Sequence, residues 1–124
     1  MKSDLIKSYK DLIVWQRSVS LVEAVYNLTD KFPPSEVYGL TVQIRRASTS
    51  IPANIAEGRH RGTRRDFSRF LRIAYGSGAE LESHLILAKK LSLSALSEFT
   101  LVDSLLDEVM RMLNKMLSKL RSLS

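Results

Sequence analysis

Between Arg45 and Arg72 the chain carries eight arginines: Arg45, Arg46, Arg59, Arg61, Arg64, Arg65, Arg69 and Arg72. Only two acids, Glu57 and Asp66, lie among them. The excess of six equals the net charge of the whole 124-residue chain, +6, and every lysine falls outside the segment. Guanidinium is planar and permanently charged, and its fork of donors fits phosphate or carboxylate oxygens. The chemistry on offer is anion recognition rather than bond making. On a helix, Arg65, Arg69 and Arg72 share a face. Arg61 and Arg64 fall at its N-terminal end, where the helix dipole also favours anions. The expected ligand is the phosphate backbone of RNA or DNA, bound with low sequence specificity and strong salt dependence. No exposed aromatic run interleaves with these arginines, so base stacking is not expected. The alternative is a scaffold or adaptor whose basic surface docks an acidic protein.

Other chemistries find no constellation. There are no cysteines and only two histidines, His60 and His84. A di-metal bundle needs two Glu-x-x-His pairs, whereas Glu80 and His84 are four apart and occur once. No metal site or cofactor is expected. The segment "GRHRGT" has three residues between its glycines instead of four, lacks the lysine of a phosphate loop and follows a helix. No serine has a His/Asp set to activate it. The chain reads as non-enzymatic.

The elements that must hold the arginines are helices. Helix one is expected over 11–31. It carries two apolar stripes, Leu12, Trp15, Val19, Val22, Tyr26, Thr29 and Val14, Ser18, Leu21, Val25, Leu28, Phe32, before Pro33-Pro34 stops it. Helix two is expected over 36–57 with Ser35 as its cap. Val37, Leu40, Ile44, Ala47 and Ile51 form a seam that the next step extends to Asn54. Pro52 inside that seam predicts a kink, with Asn54 turned inward to satisfy the carbonyl that the proline frees or to fix register. Glu57 is expected to pair with Arg61 or Arg64, and Gly58 to end the helix. Helix three, over 64–90, starts at a Thr63/Asp66 capping box. Its seam Phe67, Leu71, Ala74, Gly78, Leu81, Leu85, Ala88 runs unbroken through Gly76-Ser77-Gly78. Helix four, over 96–121, follows a Ser94 or Ser97 cap and presents Val102, Leu106, Val109, Leu113, Met116, Leu120 and Leu123. No strand alternation occurs. The fold class is all-α, a single antiparallel up-down-up-down four-helix bundle, with fraying expected at Met1–Lys7 and Ser122–Ser124. The double stripe on helix one fits either generous core packing with some exposed leucine or a homo-oligomer with a second buried face.

No stretch approaches the ~18 apolar residues of a membrane span, and no secretory leader is recognised. The expected location is the cytoplasm.

The segments "YKDLIVWQRSVSLVEAVYNLTDKFP", "YGLTVQIRRASTSIPANIAEG", "DFSRFLRIAYGSGAELESHL" and "LLDEVMRMLNKMLSKL" resemble the 23S rRNA-intervening-sequence proteins, also labelled the S23 ribosomal protein family. Trp15, Tyr38, Gly39, Arg45, Arg46, Pro52, Asn54, Glu57 and Gly58 are among the matching positions. "HRGTRRDF" is where this chain departs from the pattern, with more arginine than the usual link. The resemblance implies a small bacterial cytosolic antiparallel bundle, a homopentamer and no enzyme activity. A similar fold occurs in the accessory variability proteins of diversity-generating retroelements, which are basic pentamers linked with nucleic acid and a reverse transcriptase. That last likeness is one of fold.

Overall fold

A computed structural model describes residues 8–123. The fraying expected at Met1–Lys7 and at Ser124 lies outside them, whereas Ser122, also expected to fray, is still helical. Four helices make up the body: α1, Ile13–Thr29; α2, Leu40–Arg61; α3, Arg64–Lys90; and α4, Thr100–Ser122. Three short 3₁₀ turns, Tyr9–Asp11, Pro34–Glu36 and Leu96–Phe99, absorb the chain ends that were expected to extend α1, α2 and α4. α3 has the expected bounds.

Each helix packs on its neighbours in sequence, and α4 closes the ring onto α1. The cross-helix pairs show the directions. Arg45 at the start of α2 bonds Thr29 at the end of α1. Gly58 near the end of α2 meets Phe67 and Phe70 at the start of α3, and Ser50 meets Ser77 further along. Lys89 pairs with Asp103 where α3 ends and α4 begins. Arg17 pairs with Glu108, and Lys31 with Glu98. Along α2–α3, along α1–α4, and along α3–α4 with Gly78 against Met110 as its second contact, one number rises as the other falls, so these neighbours run antiparallel, which leaves α1 and α2 antiparallel as well.

The core is one cluster fed by all four helices, with Leu21, Ile44, Ile51, Ile55, Leu71, Leu81 and Leu113 wholly enclosed. Burial of such side chains contributes roughly 1.5–3 kcal/mol each. Of the two stripes on α1, the one through Val14, Ser18, Leu21, Val25, Leu28 and Phe32 is the buried one. Ser18 is tolerated at the centre because its hydroxyl donates to Trp15 O at 2.7 Å. The other stripe is its flank: Leu12 and Trp15 rest on the edge of the core, Trp15 with Tyr9 edge-on at 5.3 Å, and Tyr26 is exposed.

Several local expectations are corrected. Gly58 does not end α2; it lies inside it, buried, and the helix runs to Arg61. A Cβ at Gly58 would stand 2.7 Å from Phe70 Cβ, so the glycine is there to let α3 approach. The helix instead stops at Gly62, whose φ of 86° lies in the left-handed region. The buried path past Ile51 goes to Ile55 and Gly58, not to Asn54, which is only half-buried. Asn54 Nδ2 donates to Ser50 O (2.8 Å) and Ser50 Oγ (3.0 Å). The carbonyl that Pro52 leaves without its helical donor belongs to Ser48, four residues back, and Asn54 does not reach it. The Asn54–Ser50 contact passes on to Ser77 Oγ at 2.9 Å and forms a polar thread across the α2–α3 seam.

The caps differ too. Ser35 does not cap α2; Glu36 Oε1 accepts from Leu40 N at 3.3 Å. Neither Ser94 nor Ser97 caps the fourth helix, because the Leu96–Phe99 turn leads directly into it without a side-chain cap. Thr63 does cap α3, accepting from Asp66 N at 3.1 Å. Gly78 accommodates the Met110 side chain of α4, not a backbone.

Candidate nucleic-acid interface

The eight arginines divide into groups rather than forming one face. Arg45 and Arg46 belong to the first half of α2. Arg59 to Arg72 gather where α2 turns into α3. Fourteen residues of helix separate Arg45 from Arg59, about 21 Å at 1.5 Å per residue.

Arg45 is built into the fold. Its Nε donates to Thr29 Oγ1 (2.8 Å), its Nη2 donates to Asp30 Oδ1 (2.9 Å), and the guanidinium lies 4.4 Å from the Tyr26 ring centroid. Arg46, one residue on, turns to solvent and with Arg45 lines a cleft between α1 and α2.

At the other end two arrangements sit side by side. Arg61 and Arg69 lie over the Phe70 ring, 5.0 and 4.4 Å from its centroid. Each also has an acid: Glu57 Oε2 accepts from Arg61 Nε at 2.9 Å, and Asp66 Oδ1 is 3.8 Å from Arg69 Nη2. Glu57 thus takes the Arg61 option of its two. Arg59 is partly buried in the last turn of α2.

Arg64, Arg65 and Arg72 are placed differently. With Ser68 and Leu120 they line a cleft of about 420 Å³ between the start of α3 and the end of α4, and no carboxylate lines it. The steps of four from Arg64 to Ser68 to Arg72 put those side chains in one row, with Arg65 alongside. The expected Arg65–Arg69–Arg72 face is therefore corrected: Arg69 leans onto Phe70 and Arg64 takes its place. One hydrogen bond orients the group, from Arg64 Nη1 to Leu123 O at 2.9 Å. Arg65 and Arg72 are exposed. An anion entering here meets guanidinium donors and a hydroxyl and no fixed negative side chain.

The two histidines offer little beside this. His60 is exposed on α2. His84 Nε2 lies 3.4 Å from Glu80 Oε2, and Nδ1 is buried without a partner. Among the described residues no three His, Asp or Glu side chains gather as a metal site would require. No described helix is long and apolar enough to cross a membrane.

A family model described as 23S rRNA-intervening sequence protein matches residues 10–115. The chain belongs to that family. The match takes in α1, α2, α3 and the first two thirds of α4, including all eight arginines and the Pro52–Gly58 segment. The family description names a gene context and no reaction. A search of curated proteins finds no match.

Sequence reasoning singled out this end of the bundle because the arginines there are close in the chain. It could not see which of them acids and rings would occupy, nor that α4 would supply a wall.

Proposed function

We propose that this family member is a non-enzymatic, cytoplasmic, homo-oligomeric bundle protein that binds RNA or DNA through backbone phosphates. The cleft of Arg64, Arg65 and Arg72 is its principal contact. The observation that carries the reading is the contrast within the basic segment. Arg45, Arg61 and Arg69 have acids beside them, while the cleft gathers three arginines with none in its lining. Such a site suits a bridging phosphodiester, which is small, singly charged and rich in acceptors.

Self-association, with a homopentamer as the expected form, is supported by apolar side chains that one chain leaves open. These are Val19 and Val22, partly exposed on α1, and Ile73, Ile86 and Leu87 on α3. An oligomer would present several copies of the cleft and gain avidity without new contacts.

The test is a panel of duplex RNA, duplex DNA and single strands titrated over a salt series. Affinity should fall with log salt at about 0.9 per neutralised duplex phosphate. Absence of binding at ~50 mM salt, where phosphate contacts are strong, ends this reading. Nuclease-resistant capture of an acidic protein in its place would favour the scaffold alternative. Light scattering checks the assembly, and a 14.0 kDa species would exclude it.

A further inference from the structure

The cleft of Arg64, Arg65 and Arg72 is one end of a longer furrow between α3 and α4. Past Arg72 the same two helices line a second cleft of about 460 Å³. Tyr75, Met110 and Asn114 form its nearer part, and Glu82, Lys89 and Asp103 lie further along. The antiparallel pairing sets this order. Arg64 meets Leu123 and Gly78 meets Met110, so Tyr75 falls between these contacts, opposite Asn114. Tyr75 follows Arg72 by three residues, which makes the two neighbours on one helix face, with Cβ atoms roughly 5–6 Å apart. The Tyr75 ring is 36% exposed and makes no hydrogen bond or ring contact among the described residues. Met110, packed over Gly78, gives the cleft apolar surface beside it. The charge changes along the furrow. At the arginine end Lys119 and Arg121 flank Leu120 in the last turn of α4, and no acid lines the cleft. Arg65 and Arg72 have no partner among the described residues. At the far end Lys89 is held by Asp103 and Arg111 by Asp107, while Glu82 has no partner.

An open ring that follows a free guanidinium on one helix face, with an unpaired carboxylate beyond it, matches one nucleotide whose backbone goes no further. We infer that the furrow is a base-binding site adjoining the phosphate cleft. An unpaired nucleotide places its phosphate on Arg72 and its base on Tyr75 beside Met110, and the Asn114 amide, both donor and acceptor, bonds the base edge. Glu82 repels a further phosphate, so the strand leaves the furrow after Tyr75. Paired bases keep their faces inside the duplex, so the site selects unpaired nucleotides. A second copy of the chain has little to bring to the arginine end. Among the described residues every carboxylate except Glu23 and Glu82 already has a partner in its own chain. Base stacking, not expected from the sequence, takes part in this site. A single tyrosine three residues past Arg72 is no aromatic run; its open position in the α3–α4 furrow is what the sequence did not show.

This site rests on the phosphate reading of the Arg64, Arg65 and Arg72 cleft. The full chain is titrated at low salt with an oligothymidylate of about 15 nucleotides and with an abasic strand of equal length, by fluorescence anisotropy, a length within the reach of one single-strand site. Both strands offer the same phosphates, so the arginines alone cannot tell them apart. The base-bearing strand should bind at least about fivefold tighter, the lower end for one base stacked on an aromatic ring. Tyr75→Ala should remove that preference and leave the abasic strand's affinity unchanged, whereas Tyr75→Phe should keep it, with circular dichroism unchanged in both. Asn114→Ala, at an exposed helix position, should lower the preference by at least about twofold. Arg72→Ala should weaken both strands. Equal binding of the two strands by the wild type overturns the base site while leaving phosphate binding standing. Binding of neither strand overturns both. A preference that survives Tyr75→Ala overturns the base site. A Tyr75→Ala chain that changes assembly mass with its preference intact shows that the ring serves a contact between copies, and overturns it too.

Discussion

Arg45 and Arg64 stand at opposite ends of the bundle, and each donates to an oxygen on a neighbouring helix. Arg45 gives two donors to α1 and its immediate C-terminal flank, and it covers a tyrosine face. Its side chain is 27% exposed. Arg64 gives one donor to the last turn of α4 and shares an acid-free cleft with Arg65 and Arg72. One residue type thus serves as a joint at one end and as a surface at the other. The difference lies in what the partner helix brings. The end of α1 supplies Thr29 and Asp30, an acceptor and a charge, whereas the end of α4 supplies Leu120 and a main-chain carbonyl. Local charge density therefore does not decide availability for a ligand; the pairing does.

The comparison can be broken first at the seam that carries the open end. Gly58→Val would push two methyl groups and a Cβ into Phe70 and Phe67. Overpacking of this kind costs about 1–3 kcal/mol, and the tight Cβ contact places this site at or above the upper figure. The check is the urea midpoint at unchanged m-value. If Gly58→Val is as stable as the wild type, the close approach of α2 and α3 is wrong, and with it the placing of the arginine cleft.

A smaller effect separates the two arginine roles directly. The triple variant Arg64→Ala, Arg65→Ala, Arg72→Ala should lower the salt slope of duplex binding by about 3, one per lost phosphate contact, with little change in stability. Arg45→Ala should show the reverse: about 1 kcal/mol less stable and a near-unchanged slope. Equal behaviour of the two variants in both assays would erase the distinction.

The smallest effect tests the occupied arginines beside the cleft. The Arg61–Glu57 pair is an exposed i,i+4 contact, with side chains 46% and 50% exposed. Arg61→Ala should cost no more than about 0.5 kcal/mol, and high salt should abolish even that difference. Thermal unfolding at two ionic strengths measures it.

The helices were legible because their apolar seams keep heptad spacing for whole lengths; α3 held its register through two glycines and matched residue for residue. What failed was local. α1 has two equally regular stripes, and only the positions of α2 and α4 decide that Leu21 and Val25 go inside while Val22 and Tyr26 stay at the flank. Gly58 has the look of a terminator, but its role is set by Phe70 of another helix, which spacing within α2 cannot show. Ser35, Ser94 and Ser97 are good capping residues in isolation, yet 3₁₀ turns and Glu36 take over the helix starts. The site was legible to the level of its segment. That Arg69 would lie on Phe70 and Arg64 would reach Leu123 depends on side-chain partners drawn from α3 and α4 together.

The turn between α2 and α3 holds two residues, Gly62 and Thr63. Arg59, Arg61, Arg64 and Arg65 are therefore close neighbours along the chain before any helix forms. Their mutual repulsion is already present in the denatured ensemble, where the chain cannot separate them by more than a few residues' length. Within the segment folding adds little to that repulsion, because Arg69 and Arg72 are also near in the chain; the remote cations it brings up are Lys119 and Arg121, in the last turn of α4 beside Leu120. A concentrated positive charge at this end consequently subtracts less from stability than the same charge assembled from remote segments, and the bundle can carry an open basic cleft without a compensating acid inside it.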